Sequence, residues 1–490
     1  MLSIEEITQF IQEDATSSLK AQARQGQAYY EGEHDIKNYK LYYFNDDGEA
    51  VEDKTRSNIK IAHPFLTELV DQATQFILST KGAFIKSDKP ELQEELDLYF
   101  NDNEDFTAEL SEVLTDCQAK GSAFMFAYKN EDDRTAFQCA DSLGVIQIDA
   151  KYTEAKKDHI IYHYIDRVDK EKKKIKRIQV WDEANVYCYM QEEDKDIVPD
   201  NCFDGKNERP HTTYTMTGKK DTFFETFGQV PFWCLDNNKK KTSSLKPIKA
   251  LIDDYDLMSC GLSNNLQDAS EYLVVVSGFQ GDSMEELIQN SRVKKHIGVD
   301  EGGNVDFKTV SIPYEARKVK LEHDEKCIYK FGMGLNTASL KDTAATTNIA
   351  IKAAYSLLDL RCSKLIIRLK QFLRKLLKVV LQEINNVNKT DYQLKDVYFD
   401  FEPDIITNAE ENARIKLTEA QARQAEINTI LSLAQKLDDE TIMQLICEQL
   451  DIDYEEIKDK LPDPDEAENA LNDAQTALDG VNAEVGGVIE

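Results

Sequence analysis

Residues 227–256 read FGQVPFWCLDNNKKKTSSLKPIKALIDDYD, and the pattern of the chain changes inside them. Upstream, from Ser122 to about Val230, short alternating runs (AFMFAY, GVIQID, HIIYHYI, KIKRIQVW, NVYCYM, TTYTM) are separated by charged or polar turns, the period of β-strands. Downstream of Pro247 the period becomes helical through Leu251, Tyr255, Met258, Leu262 and Leu266. A helix reaching about Tyr272 would be about 37 Å long. Strands gathered in one block and helices in another predict an α+β chain.

Outward from this junction, residues 3–32 place Ile4, Ile7, Phe10 and Ile11 at helical spacing behind Ser3, with Glu6 three residues on, the two ends of a capping box. Pro64 suits the first turn of a helix ending near Gly82, and a further helix covers 104–119. On the other side, Val293–Val299 and Val305–Ile312 flank Asp300-Glu301-Gly302-Gly303-Asn304, which reads as a β-hairpin with a glycine turn. Pro313 starts a shorter helix to about Phe331. Residues 332–347 lack apolar periodicity and read as a flexible loop in which Gly332 and Gly334 supply backbone freedom.

A very long helix follows, over 348–386, nearly 60 Å at the α-helical rise. It bears Lys352, Arg361, Lys364, Arg368, Lys370, Arg374, Lys375 and Lys378 against only Asp359 and Glu383, and is apolar over most of its remaining circumference. Such a helix must be covered, by its own chain or by another subunit. Residues 394–402 alternate as a strand, 408–461 hold two or three acidic helices, and 462–490 read as a disordered acidic tail.

The formal net charge is −32, so a protein gripping DNA by neutralising its phosphates would not be built this way. Residues 391–490 hold 7 Lys and Arg against 26 Asp and Glu, a solvated acidic region. The nine cysteines include no C-x-x-C pair, which argues against a zinc ribbon or a disulfide framework. The acidic start lacks the order of a signal peptide, and apolar runs such as Leu273–Val276 are too short to span a bilayer. A product made and kept in the cytoplasm, away from membranes, is expected.

A search for chemistry returns little. There is no G-x-x-x-x-G-K-[ST] phosphate loop, and Gly332-x-Gly334 fails as a dinucleotide fingerprint because Thr337 stands where the third small residue belongs. His159 and His163 are four apart in a strand, about 13 Å from each other on one face, too far to share a metal. In a chain this acidic, pairs of carboxylates arise by chance. No catalytic, cofactor-binding or metal-binding residue is singled out, and a non-enzymatic protein without cofactors is expected.

Four stretches resemble, in order and spacing, the portal proteins of tailed double-stranded DNA bacteriophages, above all siphophages of Gram-positive hosts. They are Ala28-Tyr29-Tyr30-Glu31-Gly32-Glu33-His34-Asp35-Ile36; Asn58-Ile59-Lys60-Ile61-Ala62-His63-Pro64-Phe65 with Leu69-Val70-Asp71; residues 227–256; and a discontinuous fourth. This last runs from Val305-Asp306-Phe307 through Ile312-Pro313 and 332–347 to Asn348–Lys352 and Tyr355–Leu360. Thr346-Thr347-Asn348 stands where the family often has a Ser-Gly step, a departure that bears on the local loop conformation.

The resemblance implies a portal fold. Residues 1–246 would form the wing (opening helices 3–121, β-rich 122–230), 247–272 and 313–331 the two stem helices, and 273–312 a small β clip carrying Val305 and Phe307. Residues 332–347, with Gly332, Gly334, Leu335, Asn336, Thr337, Ser339 and Lys341, would line the tunnel. Residues 348–407 would hold the long radial helix and a returning wing strand, and 408–461 an α-helical crown. Cations of the long helix, Arg361, Lys364, Arg368 and Arg374, would meet acidic neighbours in a homo-oligomeric ring of about twelve subunits. Implied partners are the terminase large subunit, a head–tail adaptor, a capsid or scaffolding protein, and double-stranded DNA passing without sequence specificity. The implied location is the portal vertex of the virion, after assembly in the host cytoplasm. The competing readings are another virion structural protein, a capsid or tail-adaptor subunit, and a nucleic-acid-processing enzyme. A turbine-like ring with an axial hole separates the first from a portal, and nuclease or ATPase activity would support the second.

Overall fold

A computed structural model describes residues 2–54, 56–80, 82–154, 156–168, 172–193, 195–203, 205–215, 222–268, 273–279, 283, 285, 287, 297–308, 313–337, 348–401, 409–432, 437 and 439–450. The chain divides into two compact units, Met1–Ala344 with Lys352–Ile405, and Ala345–Ile351 with Ile406–Glu490. Among the described residues no helix is long and apolar enough to cross a membrane.

The first unit opens with α1 (Ile4–Thr16) and α2 (Ser18–Tyr30). The capping box is present at Ser3 and Glu6, but the single opening helix expected from the sequence is two. Ser17 is extended (φ −67°, ψ 145°) and caps α2 through its side chain, which accepts from the Lys20 N–H. A residue that offers the backbone a competing hydrogen bond breaks the helix where periodicity alone runs on.

A short hairpin follows, β1 (Tyr42–Phe44) with β2 (Ala50–Glu52). Next come α3 (Phe65–Leu78), capped at Pro64, β3 (Ile85–Lys86), α4 (Pro90–Leu96) and α5 (Glu104–Lys120). The β-rich block contains β4 (Ser122–Lys129), β5 (Thr135–Ala140), β6 (Val145–Ile148), β7 (His159–Val168), β8 (Lys174–Trp181) and β9 (Asn185–Glu192). It continues with β10 (Val198–Pro199), β11 (Glu208–Pro210), β12 (Thr212–Thr215), β13 (Thr222–Glu225) and β14 (Phe232–Asp236). The larger sheet runs β10-β9-β8-β7-β6 with β11 also on β9, and all its pairings are antiparallel. Its inward row, Ile146, Ile148, Ile161, Ile178, Val180, Tyr187 and Tyr189, buries against Leu2, just before the opening helix, and Ile7 within it.

The 227–256 stretch closes this block back on its start. β14 pairs with β4 (Phe232↔Phe126, Cys234↔Phe124), which pairs with β5 in turn. The turn after β14 is tied by its asparagines: Asn237 N–H donates to Gly121 O (3.0 Å), and Asn238 Oδ1 accepts from Lys240 N–H and Thr242 N–H. Gly121 caps α5 at φ +99°, and a Cβ there would lie 2.3 Å from Lys241 O, so glycine is required.

Beyond the junction, α6 (Lys249–Asp268) packs antiparallel to α7 (Tyr314–Gly332): Gly261 lies beside Arg317, and Asp254 is 2.5 Å from Lys320 Nζ. Between them, β15 (Leu273–Phe279) pairs with β16 (Val299–Lys308). Here the sequence reading is corrected. Asp300–Asn304 is not a turn between two strands but part of β16, whose register with β15 (Val274↔Phe307, Val276↔Val305) shifts between Ser277 and Phe279. Gly278 (φ +69°) and Gly302 (φ +91°) sit at that irregularity, so the glycines make a bulge rather than a hairpin tip.

The long helix α8 (Asn348–Asn388) has 41 residues. Leu358, Cys362, Leu365, Leu369, Phe372, Leu373, Leu376, Leu377, Val380 and Ile384 bury in one core with α3, α4, α5, β4 and β5, so its own chain supplies most of the cover. β17 (Tyr398–Phe399) returns to pair with β3. The strand expected over 394–402 is shorter because Leu394–Asp396 form a 3-10 turn. The second unit holds α9 (Ala409–Ser432) and α10 (Asp439–Leu450). The tail at 462–490 lies outside the described residues.

Candidate ring and channel surfaces

Three of the four singled-out stretches meet at one buried carboxylate. Asp256, on α6, is fully buried; His34 Nδ1 approaches its Oδ2 at 2.7 Å, while His63 gives Oδ1 both Nδ1 (2.7 Å) and its backbone N–H (3.0 Å). Burial alone would push the Asp256 pKa up, but the bonds from His34 and His63 outweigh it and hold the carboxyl below its ordinary value. Both ring nitrogens of His34 face oxygen acceptors, Asp256 and Tyr29 O (3.2 Å), and the ring stacks on Tyr29 at 4.4 Å. One turn away, Tyr29 Oη donates to Asp253, and Lys249 Nζ lies 2.6 Å from both Asp35 and Asp253. The motif residues thus fasten the opening helices and the α3 approach to the base of α6. This is a structural hub.

The segment after α7 is pinned. Met333 takes the left-handed conformation (φ 55°, ψ 46°), and the Gly334 N–H returns to Tyr329 O (3.0 Å). Gln72 of α3 bonds both backbone groups of Leu335, accepting from its N–H at 2.9 Å and donating to its O at 3.0 Å. Cβ atoms at Gly332 and Gly334 would lie 2.6 and 2.1 Å from the Leu69 methyls. These glycines permit close approach to α3 rather than backbone freedom, and the Leu335 side chain is buried in the main core (8% exposed). The expected flexibility is therefore corrected at Gly332, Gly334 and Leu335, which are held against α3. Asn336, whose Nδ2 donates to Glu325 (3.3 Å), is half-buried, and Thr337 is exposed. Ser339 and Lys341 lie outside the described residues.

The cations of α8 separate into two kinds. Arg361 turns inward: its guanidinium donates to Leu69 O (3.0 Å), Gly332 O (3.2 Å) and Gln118 Oε1 (2.7 Å), and burial pulls its pKa down to about 10. It is corrected from an intersubunit cation to a clamp within the subunit. Lys364 and Arg374 are exposed and Arg368 half-buried, and none has a carboxylate within ion-pair distance among the described residues. Arg374 lies over the Phe399 ring at 5.9 Å. On the β15–β16 sheet Val305 is half-buried, and Phe307 pairs with Val274 in the backbone ladder. Among the described residues no group of three or more His, Cys, Asp or Glu is placed to hold a metal. His163, on β7, has its pKa pulled down to about 4, first by burial and then by Lys176 and Lys20.

A family profile described as "Phage portal protein, SPP1 Gp6-like" matches residues 12–461. The chain belongs to this phage portal protein family. Portal proteins similar to it include that of Bacillus phage SPP1, 25% identical over 372 residues (75% of this chain, 71% of the relative). The portal protein of Clostridium phage phiCD119 is 25% identical over 405 residues, 80% of this chain and 84% of the relative. Among solved structures, a chain from the neck of a native GTA particle covers 78% of this chain and 89% of its own length, at 10% identity and a TM-score of 0.37. The portal family is structural, and the features above are those of a structural subunit: a motif-built hub, an end of α7 clamped to α8 by Arg361, and a cationic stripe with no carboxylate at ion-pair distance among the described residues. No motif signalled Arg361 as internal; only its place on the apolar side of the helical period, beside Cys362 and Leu358, could have done so.

Proposed function

We propose that this portal protein works as one subunit of a ring of about twelve copies at the capsid vertex, through which double-stranded DNA is packaged and later released. The observation that carries this reading is the charge arrangement on the family scaffold. The chain is strongly acidic overall (net −32), yet α8 presents exposed Lys364, Arg374 and Lys378, with no carboxylate at ion-pair distance among the described residues. A repeated acidic subunit makes a wall to which DNA does not adhere by counterion release, while a local basic stripe is suited to an acidic neighbour in a closed ring. The antiparallel α6–α7 pair would be the stem, and β15–β16, with Val305 and Phe307, the clip that meets the terminase large subunit and then the head–tail adaptor. The residues after Asn336, including Thr337, Ser339 and Lys341, would face the tunnel, and α9 with α10 would belong to the crown. A capsid or scaffolding protein would surround the ring, assembled in the host cytoplasm.

The test is electron microscopy of the purified full-length chain, with sedimentation across salt. Closed rings with an axial hole are expected, and a chain that stays monomeric at every salt and protein concentration would refute the reading.

A further inference from the structure

The β1–β2 hairpin is built as an arm: among the described residues no third strand pairs with it. It is closed at its base by Asp53 N–H to Leu41 O (2.8 Å) and at its tip by Asn45 N–H to Glu49 O (3.0 Å). Strand alternation puts Tyr42 and Phe44 on one face and Tyr43 with its partner Val51 on the other. All four are exposed: Tyr42 59%, Tyr43 49%, Phe44 77% and Val51 36%. A two-stranded hairpin showing aromatics on both faces is marginal in water unless something covers it. Its tip, Asp46-Asp47-Gly48-Glu49, is acidic, and neither Asp46 nor Asp47 has a cation partner among the described residues.

The complementary surface is on α8. Its solvent-facing residues, Ala353, Leu357, Leu360, Lys364, Ile367, Gln371, Arg374 and Lys378, step by four and three in turn, a straight seam along the helix. Leu357, Leu360 and Ile367 are its apolar members (38%, 49% and 62% exposed), with Lys364 between the last two, and past Gln371 the seam ends on two cations, Arg374 and Lys378. The spacing also agrees. From Phe44 to the Asp46–Asp47 tip is two or three residues of extended chain, about 7–10 Å, and from Ile367 to Arg374 is seven residues of helix, about 10 Å.

From this match in order, spacing and charge we infer that the β1–β2 arm of one subunit lies along the exposed seam of α8 in the next copy. Phe44 and Tyr42 lie on Ile367 and Leu360 respectively, and Asp46 and Asp47 reach Arg374 and Lys378. The contact joins different patches of the two copies, so it is head-to-tail and propagates around a ring. The inference rests on the ring reading above and names the element that each copy offers its neighbour.

The test uses the full-length chain. With p-benzoylphenylalanine in place of Phe44, irradiation of assembled rings is expected to give an adduct between subunits within residues 353–378. Separately, D46K/D47K is expected to raise the protein concentration at half-assembly about tenfold or more, with an unchanged circular dichroism spectrum because the tip is exposed. Adding R374E/K378E to the same chain should restore assembly, since every interface then carries the reversed pair. An adduct elsewhere, tip variants that assemble like wild type, or a failure of the reversed pair to rescue each overturns the arm assignment while leaving the ring intact. A wild-type chain that forms no ring overturns the ring reading, and the arm assignment with it.

Discussion

Replacing Asp256 with alanine removes the acceptor of three hydrogen bonds at a position with no solvent access: one from His34 and two from His63. A bond to a charged group is worth about 1.5–3 kcal/mol, and stripping one partner from a buried ionic cluster costs about 3–5 kcal/mol, so the terms overlap rather than add. D256A should lower the free energy of unfolding by about 3–5 kcal/mol, and D256N, which keeps one acceptor oxygen, by about half as much. Urea unfolding followed by circular dichroism measures the loss. Hydrogen exchange should locate it in residues 28–36 and 59–66, which the cluster ties to α6. The pH dependence has a definite sign. The folded carboxyl titrates below its ordinary 3.8, so its stabilisation is fully present above that value and is lost as pH falls through the folded pKa. D256N should flatten that acid limb. A D256A chain within about 1 kcal/mol of wild type would show that the three motifs do not depend on this carboxylate.

The Cβ of G334A would meet Leu69 Cδ2 at 2.1 Å, so the variant should lose about 1–3 kcal/mol, with L69A in the same chain recovering part of it in thermal melts. R361K should destabilise nearly as much as R361A, by about 2–4 kcal/mol in urea unfolding, because an ammonium cannot reach Leu69 O, Gly332 O and Gln118 together as the planar guanidinium does. Charged residues at Val305 and Phe307 should leave rings intact in micrographs but impair packaging or tail joining; normal packaging would remove the clip assignment. K341A should change DNA retention or packaging efficiency without changing ring formation, and a mutant that fails to form rings would make that segment a subunit contact instead.

Much of the fold was legible because periodicity and capping are local. The helix starts at Ser3 and Asn348, the β block from Ser122, and the switch at Pro247 all lie within a few residues of where they were read. What was missed depended on partners distant in sequence. Asp300-Glu301-Gly302-Gly303-Asn304 has the composition of a hairpin turn, and only its pairing with Leu273–Phe279 makes it a bulge. Gly332 and Gly334 look like hinge residues until Leu69, more than 260 positions upstream, fills the space beside them. Arg361 and Lys364 are both cations on one helix, yet a three-residue step puts one among carbonyl oxygens and the other in water. The stretches that carry the family resemblance contain the hub residues, but no spacing rule shows that Tyr29, His34, His63 and Asp256 share one buried site.

The Arg361 clamp has a mechanical meaning. Its three bonds join the end of α7, the middle of α3 and, through Gln118, the end of α5 to a single point on a 41-residue rod. A push on the end of α7 at Gly332 therefore passes through Arg361 to a strut about 60 Å long. The Arg361 junction then works as a bracket, in which strain applied at the end of α7 becomes displacement of the helix it is bolted to.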